Sequence, residues 1–469
     1  MPMAESEKSY WIKSGVITLL DRLSLLIFGF LGFFLFVRIY DKLTFGVWVL
    51  FFSTVTFFEI GRNGLIQNGL VKFLTTAKSD DERGRISTAS IILNILLSLI
   101  NVFVLLMIAP YLAELWGSSI LVDLFYIYTI TTLVMIPMQH FIFVQIAHLD
   151  FRGPMLANFA RGGIFFSYIA YLFFFSKIVP LTNLAYVQII AAGVGSLVAF
   201  IFAAKYYQFS KNIDWNWVKK LLRYGSFTFL TNLSTMLYKS IDKWMLGILL
   251  SPVSVGLYEI CMKVNNLLEA PTQAIAQIVF PKSARKGERE GPEAIKKLYE
   301  GAVGAILALV IPAVLFVFLF PNFIVVFLGG EDYMAAASIL TTTVFYALFL
   351  PFANQFGTIL DSIGKPETNL FFTLLGALIN VAANYVFITQ YGVIGAAYGT
   401  IFTYVITFVL NQIVLNRMFN INWWNAILAI PNFYKMAFGI IFGKIKLNKP
   451  SVDDVEKTTI HKKEEIINK

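Results

Sequence analysis

Charged residues are scarce in this chain: Asp, Glu, Lys and Arg make up 14% of its 469 residues, where a soluble protein carries about 25%. A soluble fold of this length could not hide the remaining apolar surface. Cysteine is nearly absent as well. The single Cys261 excludes an internal disulfide framework and a cysteine-built metal site. The three histidines, His140, His148 and His461, share no metal-ligand spacing. No Gly-rich phosphate loop occurs, so ATP coupling within this chain is not expected. No cleavable signal peptide is visible, because the first apolar run is long and lacks a small-residue cleavage site. The formal charge of +9 raises the question of nucleic acid. In so apolar a chain it reflects basic cytoplasmic loops instead, and no nucleic-acid partner is expected.

Apolar residues make up the bulk of the sequence. They are 58% of the chain, including 46 Phe and 21 Tyr, and the mean hydropathy is +0.72. They fall in runs near the length that crosses a bilayer core, about 20 residues. About twelve spans are predicted, near 14–37, 44–70, 87–109, 120–147, 155–176, 182–204, 222–249, 254–280, 299–320, 334–359, 368–388 and 394–416. No alternating ten-residue pattern suggests a barrel, and backbone groups in lipid must be satisfied within the segment, so the spans are helices. The expected fold is an all-α integral membrane protein.

Loop charge sets the orientation. One set of connecting loops, from Lys72 to Lys365, carries 17 Lys and Arg; the other carries only Arg38, Lys42 and Lys177. The first set is then cytoplasmic, and both termini with it. Residues 423–443 contain a further apolar stretch, interrupted by Pro431 and Lys435 and followed by Lys444, Lys446 and Lys449. They could pass for a thirteenth span, but spanning would put those lysines outside, so an interfacial helix anchored by Trp423 and Trp424 is the preferred reading; 450–469 reads as a disordered polar tail.

Sliding the chain on itself by 210 residues exposes an internal repeat. Gly15, Thr18, Leu20, Leu23 and Ser24 fall on Gly225, Thr228, Leu230, Leu233 and Ser234; FGVW (45–48) falls on VGLY (255–258). Glu59, Gln67 and Lys72 fall on Glu269, Gln277 and Lys282. Each half then holds six helices in the same orientation, a parallel repeat whose interface is where transporters place substrate. The expected organisation is a six-helix lobe at 1–204, a linker at 205–221, a second six-helix lobe at 222–416, and the interfacial helix and cytoplasmic tail at 417–469.

Several segments carry a resemblance: YDKLTFGVWVL (40–50), EIGRNGLIQNGLVKFL (59–74), SIDKWMLGILLSPVSVGLYEICMKV (240–264), AIAQIVFPKSAR (274–285) and ILDSIGKP (359–366). Over residues 8–420 the chain resembles a Wzx-type polysaccharide flippase of the multidrug/oligosaccharidyl-lipid/polysaccharide exporter superfamily. That resemblance implies two six-helix lobes around a cavity in a bacterial inner membrane. It implies a role in O-antigen, lipopolysaccharide, capsule or exopolysaccharide assembly: turning an undecaprenyl-diphosphate-linked oligosaccharide to the periplasmic leaflet by alternating access. A polysaccharide polymerase and a chain-length regulator are the implied partners, besides membrane lipid. Where the family often has an acidic Asp-Leu-Gly-Leu element in helix 2, this chain has Glu59, Ile60, Gly61 and Arg62.

Ionisable residues within spans are costly and face a cavity or a partner. Helix 7 carries Thr228, Asn232, Thr235, Lys239 and Asp242 in one stripe, with Lys243 beside it; helix 8 carries Glu259, Lys263, Asn266, Ala270, Gln273 and Gln277 on one face, and Glu269 besides. Helix 2 carries Thr56, Glu59, Asn63 and Gln67 on one face, with Arg62 beside them, and helix 1 carries Asp21 and Arg22. On one reading Lys239 with Asp242, and Glu259 with Lys263, are ion pairs that hold helices together. On the other, Arg22, Lys239, Lys243 and Lys263 bind the substrate diphosphate, while Asp21, Glu59, Arg62, Asp242, Glu259 and Glu269 line the cavity or couple to an ion. The five cations, Arg62 included, match five acids, so a charged and hydrated cavity is expected, whose sign Arg161 could tip. No cofactor is expected; H⁺ or Na⁺ is the candidate coupling ion.

Other functions fit less well. A cation-coupled drug antiporter of the same superfamily predicts a compact acidic cavity, and a peptidoglycan-precursor flippase two further groove-forming helices. A membrane enzyme acting on sugars needs positioned groups on external loops, and these are short, with only Asp41, Glu114, Glu331 and Asp332 as acids.

Overall fold

The computed structural model describes residues 2–206 and 208–441, and the side chains of all of these but 2–13, 227–228, 286–289, 436–437 and 439–441. The disordered tail expected at 450–469 lies outside the described residues, as does the side chain of Thr228. The described residues form α-helices joined by short turns, with no strand among them. They run α1 (Pro2–Ile39), α2 (Lys42–Thr76), α3 (Asp80–Leu115), α4 (Ile120–Ala147), α5 (Arg152–Phe174), α6 (Leu181–Ala203), α7 (Trp215–Leu249), α8 (Pro252–Glu290), α9 (Pro292–Leu319), α10 (Pro321–Gly329), α11 (Ala336–Thr343), α12 (Leu350–Ser362), α13 (Pro366–Tyr391), α14 (Val393–Phe419) and α15 (Trp423–Ile441).

The turns are written in the sequence. Asp41 caps α2 by accepting from the Thr44 amide at 2.7 Å. Ser79 accepts from the Glu82 amide at 3.2 Å while Glu82 accepts from the Lys78 amide, two bonds that fix the turn into α3. Ser251 caps α8, and Pro252 occupies its first turn, where no amide donor is needed.

Nine helical segments among the described residues are long and apolar enough to cross a membrane. The helices α5, α7 and α8 stand in the same bundle and are more polar; α7 and α8 carry most of the intramembrane charges read above. Two expected boundaries change. The helix α7 begins at Trp215, inside the expected linker, because Asp214 caps it and Val218 and Leu221 are buried against α2. The span expected at 334–359 is broken into α11 and α12 by a 3₁₀ stretch, Val344–Leu348, just ahead of Pro351, which cannot donate to a continuous helix. The tail helix α15 runs along α9 in the same direction: Asn425 donates to Glu300 at 3.0 Å, and the Tyr434 hydroxyl to the Ala308 carbonyl at 2.6 Å. Gly304 leaves room for this contact, since a Cβ there would stand 2.7 Å from the Ala426 carbonyl oxygen.

Buried apolar side chains form three cores, and their placement determines the shape. One is shared between the two halves of the sequence and lies toward the sparsely charged turns; it includes Phe36, Phe45, Trp48, Leu246, Tyr258 and Tyr333. Toward the basic turns it gives way to two separate cores. The first, around Ile66, Ile86, Phe141 and Leu221, belongs to the first half plus the start of α7; the second, around Tyr299, Phe356, Leu415 and Ala426, belongs to the second half. The halves therefore join at one end and part at the other, except along α2 and α7. These two pack closely: a Cβ on Gly225 would fall 1.8 Å from the Leu65 carbonyl oxygen.

Candidate functional site

A cavity of about 600 Å³ opens where the shared core ends, lined from both halves of the chain. Its first wall comes from α1, α2, α5 and α6. Phe28, Phe33, Phe36, Trp48 and Phe165 make this wall aromatic, and Asn158, Arg161 and Gln188 give it a polar edge. Trp48 and Phe165 lie parallel, 6.0 Å apart. The second wall, mainly from α7 and α8, carries Lys239, Asp242, Lys243, Glu259, Lys263 and Glu269. Counting Arg161, four cations and three carboxylates line the space.

The second wall is an ordered ion-pair array. Glu259, only 7% exposed, accepts Lys243 at 2.7 Å and Lys263 at 3.3 Å. Lys239 reaches Glu269 at 3.2 Å, and Gln273 donates to the same carboxylate at 2.7 Å. Each buried carboxylate needs such partners, because removing a charge from water costs several kcal/mol. The expected pair of Glu259 with Lys263 is present.

The expected pair of Lys239 with Asp242 is not. Lys239 turns across to α8, and Asp242 turns inward to neutral donors. The hydroxyls of Tyr258 and Thr400 donate to Asp242 Oδ2 at 2.8 and 2.9 Å, and Asn384 donates to Oδ1. The i, i+3 spacing placed Lys239 and Asp242 on one face, but an acidic neighbour on α8 competes better for the lysine than a carboxylate already surrounded by donors. Sequence reasoning missed Tyr258, Asn384 and Thr400; the i, i+4 pair Asn380 and Asn384 within an apolar span was the signal available.

The remaining expected residues do not line the cavity. Arg22 is exposed on α1 and stands apart from the three lysines. Beside it, Asp21 accepts from Asn158 at 3.3 Å, tying α1 to α5. Glu59 and Arg62 sit behind the first wall. Glu59 accepts from the Tyr128 hydroxyl and lies 4.0 Å from Arg161, while Arg62 is buried and donates to Ser98 at 2.8 Å and to the Thr132 carbonyl at 3.3 Å. Of the cations expected from the sequence to bind substrate, only the three lysines of α7 and α8 face the space.

The all-helical membrane bundle has the same fold as solved membrane-protein structures. An inward-facing multidrug resistance MATE family transporter of the MOP superfamily superposes with a TM-score of 0.74 at 16% identity, over 84% of this chain and 95% of that one. The lipid II flippase MurJ, in an inward closed conformation, gives 0.73 at 15% identity, over 93% and 94%. The chain belongs to the polysaccharide biosynthesis protein family, whose model matches residues 35–338. It is also similar to an uncharacterized membrane protein of Methanocaldococcus jannaschii, 23% identical over 81% of this chain and 80% of that protein. A second relative is a probable low-salt glycan biosynthesis flippase of Haloferax volcanii, 22% identical over 44% of this chain and 43% of that protein.

Proposed function

We propose that this protein flips a lipid-linked oligosaccharide, a glycan carried on a polyprenyl diphosphate, from the cytoplasmic to the outer leaflet of a cytoplasmic membrane. The observation that carries this reading is the two-faced cavity. A charged wall of Lys239, Lys243 and Lys263 with their carboxylates suits a polar, phosphate-bearing head group. Opposite it, an aromatic wall centred on Trp48 suits the faces of sugar rings. A head group crossing lipid needs such a hydrated path, and its tail needs a lateral gap.

The open end of the bundle supplies the gap. A Cβ on Gly15 of α1 would meet no neighbouring helix within 4 Å among the described residues, and Val16, Leu19, Leu20 and Leu23 are exposed beside it. By the positive-inside rule that end faces the cytoplasm. A closer likeness to the inward-facing MATE structure than to an outward-facing one, 0.74 against 0.61 in TM-score, supports the same assignment. In this reading α5, α7 and α8 complete twelve spans in two six-helix lobes, with α15 inserted beside α9 as an addition.

The mixed charge of the cavity weighs against a cation-coupled drug antiporter. Asp242 is the candidate for ion coupling to H⁺ or Na⁺ within the flippase, because its carboxylate is held by neutral donors and makes no ion pair among the described residues. Deleting the gene in its host tests the proposal. Lipid-linked oligosaccharide should accumulate in the cytoplasmic leaflet while surface glycan is lost; unchanged surface glycan with no accumulation would refute it.

A further inference from the structure

Behind the aromatic wall, a carboxylate stands between two arginines. Glu59 and Arg62 are one turn apart on α2, and both face α4. Glu59 meets Tyr128, and Arg62 meets the Thr132 carbonyl one turn further along. Arg62 is 3% exposed. Its Nη1 is bonded to Ser98 and Thr132, but its Nε and Nη2 have no hydrogen-bond partner, and no carboxylate lies within ion-pair distance of it among the described residues. A guanidinium has five donors and cannot shed its charge, so two unanswered donors inside a membrane are expensive.

Glu59 is engaged on the other side, but loosely. Its contact to Arg161 is 4.0 Å, and the Arg161 side chain is 31% exposed and lines the cavity, whereas that of Glu59 is 15% exposed and does not. The carboxylate is thus shared between a cation open to the cavity and a cation sealed in the helix packing. The i, i+3 spacing brings Arg62 within reach of a rotamer change at Glu59.

We propose that Glu59 is the displaceable counter-ion of Arg161, and that Arg62 receives it when an anion occupies the cavity. Arg161 is then the anion-binding group of the first wall, facing the lysines of the second. This rests on the reading that the cavity takes a diphosphate-bearing head group. A phosphate oxygen that takes Arg161 leaves Glu59 beside an occupied partner, and a turn toward Nε and Nη2 of Arg62 satisfies both groups. The exchange happens at a mechanically sensitive place. Gly61 and Gly64, on either side of Arg62 in the sequence, are the points where α2 rests on Phe229 and Asn232 of α7. Occupancy of the cavity is thereby felt where the two halves meet.

The test is a binding cycle on the purified full chain. Calorimetry with inorganic pyrophosphate in detergent is one arm, and a polyprenyl diphosphate in lipid nanodiscs the other. Glu59→Gln should tighten binding by about fivefold, the low end of measured coupling between sites, because Arg161 loses its competitor. Arg62→Gln should weaken binding in the wild-type background, Arg62→Lys should restore part of the loss, and Arg62→Gln should have no effect in a Glu59→Gln background. Arg161→Gln should abolish the influence of Glu59. An effect on both arms supports recognition of the diphosphate itself; an effect on the nanodisc arm alone supports recognition of the lipid-borne head group. Equal weakening by Arg62→Gln in both backgrounds would make Arg62 structural and overturn the exchange, as would weaker binding by Glu59→Gln. If Arg62→Gln fails to fold, the Glu59 and Arg161 variants decide alone. Binding that is intact but indifferent to Glu59 overturns this inference only; no binding in either arm, to wild type or any variant, overturns the diphosphate reading with it.

Discussion

Replacing Glu259 by Gln probes the charged wall most sharply. Its carboxylate is 7% exposed and lies 2.7 Å from Lys243 and 3.3 Å from Lys263, whose side chains are 19% and 32% exposed. At an effective dielectric of about 20, the two attractions are roughly 6 and 5 kcal/mol before desolvation is subtracted. Breaking a buried pair from one side costs about 3–5 kcal/mol, and the partial hydration of both lysines favours the lower end, about 3 kcal/mol. Glu259→Gln should therefore lower the thermal unfolding midpoint in detergent, followed by tryptophan fluorescence, and reduce the yield of monodisperse protein. Adding Lys243→Met and Lys263→Met should recover much of the loss, because a full apolar replacement leaves no orphaned charge. A Glu259→Gln variant that unfolds at the wild-type midpoint would refute the view that this array holds α7 to α8.

The other perturbations follow from the same geometry. Asp242→Asn should leave the folded yield close to wild type, because its partners are neutral and no lysine loses a counter-charge, and it should abolish any response of transport to a sodium or pH gradient; a variant that fails to fold, or that still responds, contradicts the coupling role. The 210-residue offset relates the contact of Gly46 with Pro252 to that of Gly256 with Lys42, and it relates the close pair Gly225 and Leu65 to Gly15 and Ile275, where a Cβ on Gly15 would meet no described residue of another helix within 4 Å. In a Cys261→Ser background, cysteines at positions 15 and 275 should therefore cross-link in the cavity-closed state and arrest transport; a cross-link that never forms during turnover would show that α1 does not close on α8.

Much of the fold was legible because a bilayer imposes simple rules on sequence. Apolar length marked the spans, and loop charge divided the turns into two sets, which the structure places at opposite ends of the bundle. The misread places were those where packing overrides composition. Pro431 and Lys435 could not show that α15 packs along α9, where Gly304 leaves room for it. Val218 and Leu221 look like linker residues until α2 covers them. The site was partly legible for the same reason. Charges within spans pointed to α7 and α8, and Lys243, Lys263 and Glu259 do meet there. Periodicity assigns a residue to a face but not to a partner. It could not show that Lys239 prefers Glu269 to Asp242, that Arg22 lies away from the cavity, or that Asn384 and Thr400 reach Asp242 from more than 140 residues away.

The central claim is that the two-walled cavity carries a lipid-linked glycan from one leaflet to the other. The direct measurement uses proteoliposomes holding the purified protein and a polyprenyl-diphosphate-linked oligosaccharide, with a membrane-impermeant glycosidase outside. Starting from glycan confined to the inner leaflet, the protein should bring it within reach of the enzyme, and Lys239→Ala with Lys243→Ala should slow this per molecule of folded protein. Glycan that remains protected in wild-type vesicles, or becomes accessible at the same rate in protein-free ones, would contradict the account.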